Sequence, residues 1–424
     1  MNILKLFRNK VIREAYLAWF AIALFYFYVY ILRVSPGVLE KEIRAAYKAT
    51  AEEFATLGSL YLLGYSLLQI PLGVIADRIG VKKMGMYSIT ICIIGSLLFG
   101  LTQHFWVAQF ARLLIGIGSA SAFMCSLKYI ADHFPPGSRG FLMGMTLALG
   151  TVGALTSAKS LELLENYVEW HDLMALSAGI GAIVFVLIAT FVRSAHLDPI
   201  ANLNRKTLPE ILLSLREIIT SKNIMIYAIV AIGLYTPLSA IADLWGPAFM
   251  EQKFGLENDE AALSNMWMYI GLTVGCMIMP WIAEKNNKIN QAIVLCGFMV
   301  LLIFCIIVYL PPVDKITLEL LLFTLGFFCG AEMMCFTGAL SFSKSLNSGE
   351  VIGVVNTLNM LGGAVVQQLI GTSLDAQWDG VFREGIRHYS TEQFINALSV
   401  LTVVIILCCI ISLLLLKVKL KYSR

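Results

Sequence analysis

Long apolar runs separated by short polar breaks set the plan of this chain. Stretches of about 20 residues, the length a helix needs to cross a bilayer, occur near 15–37, 54–76, 84–102, 105–132, 140–162 and 172–193. A second set lies near 224–250, 261–283, 289–310, 317–343, 351–374 and 394–416. The pattern predicts an all-α integral membrane protein of twelve transmembrane helices, six in residues 1–193 and six in residues 223–424. Between them, 194–222 is polar, carries Asp198, Pro199, Asn202, Asn204, Arg205 and Lys206, holds an amphipathic stretch around Ile211 to Ile219, and reads as the cytoplasmic linker.

The two sets resemble each other. Gly37, Gly144 and Gly153 recur at a common offset as Gly246, Gly353 and Gly362, and Asp77-Arg78 has a weaker counterpart in Glu284-Lys285. Such an internal repeat marks two pseudo-symmetric bundles.

Composition fits a protein that stays in the bilayer: 58% of residues are hydrophobic and 14% charged, with a mean hydropathy of +0.78. Lys and Arg collect in the segments on the side of the N-terminus and the linker, which places both termini in the cytoplasm; the expected location is the cell's inner membrane. A net charge of +3 spread over many loops offers no nucleic-acid surface. The nine cysteines all fall inside apolar runs without a Cys-x-x-Cys pair, so they read as packing residues, with neither disulfide nor metal implied. The first apolar run is long, contains Arg33 and lacks a small-residue cleavage site, so it reads as a retained span.

One break is richer than the rest. Gly73 to Lys83 reads Gly-Val-Ile-Ala-Asp-Arg-Ile-Gly-Val-Lys-Lys, a tight loop in which Gly73 and Gly80 permit turning and Asp77, beside Arg78, Lys82 and Lys83, can latch neighbouring helices. This stretch resembles the signature between helices 2 and 3 of the major facilitator superfamily, and the likeness extends over nearly the whole chain. Span 4 adds Arg112-Leu-Leu-Ile-Gly116-Ile-Gly118, similar to the superfamily's span-4 motif, and we group Arg112 with the gating residues. Lys128 follows sixteen residues later, then His133-Phe134-Pro135 and Arg139-Gly140. These features resemble the anion:cation symporter branch, in which cations at the Arg33 and Lys128 positions hold a substrate carboxylate. Two departures stand out. The second cation is Lys, which lacks a bidentate fork, and the branch's coupling acids are replaced by Leu32 and Ser119.

Ionisable residues inside spans cost about 2.5–3.5 kcal/mol each on insertion scales and therefore need partners or water. Tyr26, Tyr30, Arg33 and Gly37 share one helical face. Tyr235, Ser239 and Asp243 share another in span 7, and Asp243 lies one residue past the repeat counterpart of Arg33. Glu332 sits five residues before the counterpart of Lys128. The expected site is a cavity in which Arg33 and Lys128 face Asp243 and Glu332, one of the two acids carrying a coupling proton, with Asn356, Asn359 and Gln367 of span 11 beside it. Arg33 and Asp243 can equally form a standing ion pair between the halves. Near the end of span 5, Lys159 with Glu162 and Glu165 reads as an interfacial ion pair.

The resemblance implies a monomeric secondary active transporter, using no cofactor beyond a coupling proton, that takes up a small, carboxylate-bearing organic solute by alternating access. Export of a carboxylate siderophore or a drug is one alternative, although span 5 lacks the proline of the drug-antiporter motif. A transporter-like solute sensor is another. Enzyme chemistry is not expected, because the chain has no His-Glu-x-x-His, Gly-x-Ser-x-Gly or phosphate-loop motif.

Overall fold

The computed structural model describes residues 10–164, 168–193, 208–342, 348–383 and 385–418. Among the described residues, twelve helices are long and apolar enough to cross a membrane. The first half holds α1 (Ile12–Val38), α2 (Ala51–Leu72), α3 (Ile79–Leu101), α4 (Phe105–His133), α5 (Phe141–Lys159) and α6 (Trp170–Phe191). The second holds α7 (Lys222–Phe254), α8 (Asn258–Lys285), α9 (Ile289–Tyr309), α10 (Lys315–Leu340), α11 (Gly349–Ala376) and α12 (Thr391–Lys417). Each falls within a few residues of its apolar run. An even number of spans puts both ends of the described chain on one face, here the terminal face; the 39–50 connection lies on the opposite, distal face.

Between the halves, the helix Leu208–Thr220 buries Ile211, Ser214 and Ile218 and exposes Leu212, Leu213 and Ile219, as the amphipathic pattern predicts. The rest of the linker, 194–207, lies outside the described residues, as does Glu165. The side chains of Glu162 and of Gly73 to Arg78, including Asp77, are likewise outside them. The expected loop at 73–83 is helical instead. Residues 73–79 continue α2, and the break into α3 falls at Gly80, whose φ of 76° only glycine adopts without strain. Lys82 donates from Nζ to the carbonyl of Ala189 at the end of α6, 2.6 Å away, which ties helices within the first half. Lys83 is exposed.

Without a hydrophobic force to join helices in lipid, close backbone approach does the work. It is tightest between α8 and α10, where a Cβ on Gly326 would lie 1.9 Å from the Met268 carbonyl oxygen and one on Gly271 1.9 Å from that of Phe323. A backbone carbonyl cannot swing aside as a side chain can. Gly326→Ala should therefore destabilise the second half by about 1–3 kcal/mol, read as a lower unfolding temperature in detergent, whereas Gly349→Ala, in open space, should be neutral.

On the distal face the halves are clasped. Asp375, at the end of α11, accepts the backbone N–H groups of Ala51 (3.3 Å) and Glu52 (2.8 Å) at the start of α2. A capping box of Thr50 and Glu53 completes that helix start. Arg387, the last residue of the hairpin of β1 (Phe382–Arg383) and β2 (Ile386–Arg387), and Tyr389, just after it, also reach Asp375, Arg387 at 3.1 Å. Arg44 bonds Glu40 at 2.5 Å and the Arg387 carbonyl at 2.8 Å, and Lys41 pairs with Glu251 of α7.

Candidate functional site

Four of the spans are interrupted along their length. In α7, Leu238–Trp245 forms a π-helix, in α10 the helix restarts at Glu332 after Gly330 and Ala331, and α4 and α8 restart at Ala122 and Trp267. Such irregular turns persist in a membrane only where protein satisfies the backbone. Around the π-helix this is done by amides: Gln367 Nε2 donates to the Ser239 carbonyl at 2.6 Å, and Asn265 Nδ2 to those of Ile241 (3.2 Å) and Ala242 (3.0 Å). The π-turn carries Asp243.

Arg33 of α1 meets that carboxylate across the interface between the halves. Its Nε donates to Oδ2 of Asp243 at 2.9 Å and its Nη2 to the same oxygen at 2.6 Å. Nη2 also donates to the Tyr235 hydroxyl at 2.7 Å. The guanidinium lies 5.6 Å from the ring centre of Tyr30 and 5.7 Å from that of Tyr235, near enough for cation–π attraction. Tyr26 donates to the Tyr30 hydroxyl at 3.3 Å. Tyr269 of α8 donates its hydroxyl to Asp243 Oδ1. The pair is closed off from solvent: Arg33 is 7% exposed and Asp243 3%.

Thus Tyr26, Tyr30, Arg33, Tyr235 and Asp243 do converge, but as a packed ion pair in place of charges facing one another over an open cavity. Lys128 does not join them. It lies near the terminal end of α4, partly exposed and 3.9 Å from Asp132 one turn on, because α4 runs away from the distal half in which Arg33 sits. Arg112 also departs from expectation. It is buried about 10 Å into α4 from the distal face, at 1.5 Å per residue, far from the Gly80 break on the terminal face. There it donates to the carbonyls of Leu32 (2.7 Å) and Leu57 (3.2 Å) and stacks on Tyr61. Gln367 braces the π-helix as described, and Asn356 bridges the halves through Gln69 Oε1 at 2.8 Å. Glu332 accepts from Asn359 Nδ2 at 2.6 Å.

Tyr269 is the participant that sequence reasoning missed. The signal was the repeat: Tyr269 occupies, to within one residue, the place in α8 that Tyr61 holds in α2. Tyr269→Phe should cost about 1.5–3 kcal/mol, the worth of a hydrogen bond to a charged group, read as a lowered unfolding temperature that vanishes in an Asp243→Asn background.

A cavity of about 400 Å³ opens on the distal face between Leu39, Glu42, Trp170, His171 and Asp259, sharing no lining residue with the Arg33 cluster.

This architecture has relatives. Residues 17–367 match the family model described as Major Facilitator Superfamily. The chain belongs to that superfamily. Among relatives of this major facilitator, a D-galactonate transporter of Escherichia coli (strain CFT073) is 24% identical over 420 residues, covering 92% of this chain and 96% of its own. A gentisate transporter of Corynebacterium glutamicum is 20% identical over 368 residues, covering 86% and 82%. The fold is similar to that of a bacterial homologue of the human lysosomal transporter Spinster in its inward-facing, occupied conformation, with a TM-score of 0.75 at 15% identity over 96% of this chain and 98% of that one. It is similar also to the nucleoside transporter NupG, with a TM-score of 0.74 at 13% identity over 94% and 99%. The protein is a multi-pass membrane transporter by family and fold, and no enzyme.

Proposed function

We propose that this major facilitator takes up a small organic acid by proton-coupled symport, with both termini in the cytoplasm and the distal face outside the inner membrane, working as a monomer. The observation that carries the reading is the Arg33 guanidinium, buried between the halves with a carboxylate already seated on it. A solute carboxylate arriving there can replace Asp243 as the partner of Arg33, so that the guanidinium is never left bare, while the displaced Asp243 keeps the Tyr269 hydroxyl. The exchange frees Asp243, loosens the tie between α1 and α7, and lets one half rock against the other. Relatives named for galactonate and gentisate support the chemical class. The drug-export reading gains no specific support from the site.

The test is uptake of radiolabelled D-galactonate and gentisate into proteoliposomes with an imposed inward proton gradient. Accumulation of either acid that collapses with the gradient supports symport. Binding without flux supports a sensor, and accumulation driven only by an outward gradient supports export.

A further inference from the structure

The site presents two buried carboxylates in opposite surroundings. Asp243 is fully engaged: Oδ2 takes two N–H groups of Arg33 and Oδ1 the hydroxyl of Tyr269. Glu332 is 6% exposed and has no cation partner among the described residues. Its hydrogen-bond partner is the amide of Asn359, itself fully buried, whose Nδ2 donates to Oε1 while its own Oδ1 has no partner among the described residues. The groups that face Glu332 electrostatically are Arg33 of α1, whose charge Asp243 already matches, Tyr235 of α7, Cys276 of α8, Cys329 and Cys335 of α10, and Asn359 of α11.

An ionised carboxylate inside low-dielectric protein is costly unless a cation answers it, and a proton removes that cost. When neighbouring acids lie in such contrasting environments, the two protonation roles divide between them. The orphaned oxygen of Asn359 fits the same division. An ionised Glu332 needs a donor, which Nδ2 supplies. A protonated Glu332 becomes a donor itself, and rotation of the amide would turn Oδ1 to receive it.

We propose that Glu332 is the residue that binds the coupled proton, and that Asn359 is the positioning residue that reads its charge through rotation of its amide. This rests on the symport reading above. One proton converts the carboxylate to the neutral acid and leaves again to restore it, with no other reactant involved. The signal has a short route to the other half of the molecule. One turn before Asn359, Asn356 bonds Gln69 of α2 at 2.8 Å, so α11 carries the reader of the proton and a tie between the halves on adjacent turns.

Infrared difference spectroscopy between acid and alkaline pH, on the full-length protein in lipid, tests this without any solute. Exposed carboxylates give C=O bands in every variant; one further carboxylic-acid C=O band is expected in wild type and in Asp243→Asn, lost in Glu332→Gln, and shifted in Asn359→Leu. A spectrum that Glu332→Gln leaves unchanged overturns the assignment, as does a protonated-acid band lost only in Asp243→Asn. In proteoliposomes, Glu332→Gln should keep exchange of labelled for unlabelled D-galactonate or gentisate and lose at least tenfold of gradient-driven accumulation. Wild-type protein that moves neither acid would count against the symport reading alone, because the infrared result decides Glu332 separately.

Discussion

Arg33→Ala is expected to abolish accumulation of the transported acid and to weaken the protein at the same time. The two effects have different origins. Removing one member of a buried ion pair strands the other, and Asp243, 3% exposed, would be left with Tyr269 as its main support; such losses run to about 3–5 kcal/mol. The transport effect comes from the missing cation. Truncating one partner of a buried, hydrogen-bonded charge pair costs about 2–5 kcal/mol in binding, roughly 30- to 4,000-fold in affinity. A second variant separates the two. Arg33→Leu combined with Asp243→Leu removes both charges, and replacing a buried pair by apolar side chains is often neutral or stabilising. The double variant should therefore regain wild-type thermal stability and still transport nothing. If it transports at the wild-type rate, Arg33 and Asp243 are a structural rivet and the solute binds elsewhere.

That this pair could be anticipated, while the details of the site could not, follows from what each residue costs. Spans are legible because a bilayer demands about 20 apolar residues in a row, and Arg33 and Asp243 are conspicuous because charge inside a span must be answered by something. The repeat then brings the two close. Tyr269 raises no such alarm, since a tyrosine sits in an apolar run at little cost. Gln367 misleads for a related reason. An amide in a span advertises a polar partner without saying whether that partner is a solute or, as here, the Ser239 carbonyl exposed by a π-turn. The π-turn itself leaves no mark in the hydropathy pattern. Asp375 is the least legible of all, because two of its partners are backbone N–H groups, which every residue but proline possesses. Lys128 shows the limit of pattern. Motif spacing groups it with Arg33, yet the two side chains lie toward opposite faces of the membrane.

Neutralising Asp375 should open the distal face. A carboxylate at a helix start is favoured by the unpaired N–H groups and the helix dipole, and here the helix belongs to one half and the carboxylate to the other, so that capping energy is available only while the face is shut. Losing a cap costs about 0.5–2 kcal/mol; the Arg387 and Tyr389 contacts of Asp375 lie within the second half and do not enter this balance. Asp375→Ala should then shift the closed-to-open ratio by roughly tenfold, at about 1.4 kcal/mol per decade. Spin labels at Ala45 and Phe382, both exposed and in opposite halves, should show a new longer distance; an unchanged distribution would mean that Lys41–Glu251 and the bond from Arg44 to the Arg387 carbonyl suffice to hold the face. Acid should push the same way. His388, next to Arg387 and Tyr389, has a buried Nε2 without a partner among the described residues. Burial, and then Arg383 and Arg44, hold its proton affinity below the usual imidazole range, Asp379 opposing them. Because the clasped state binds this proton less readily than the open one, the clasp is at full strength above the ordinary histidine range and weakens as pH falls through it. The longer spin-label distance should accordingly grow in below neutral pH in wild type, and His388→Gln should flatten that dependence while leaving the effect of Asp375→Ala intact.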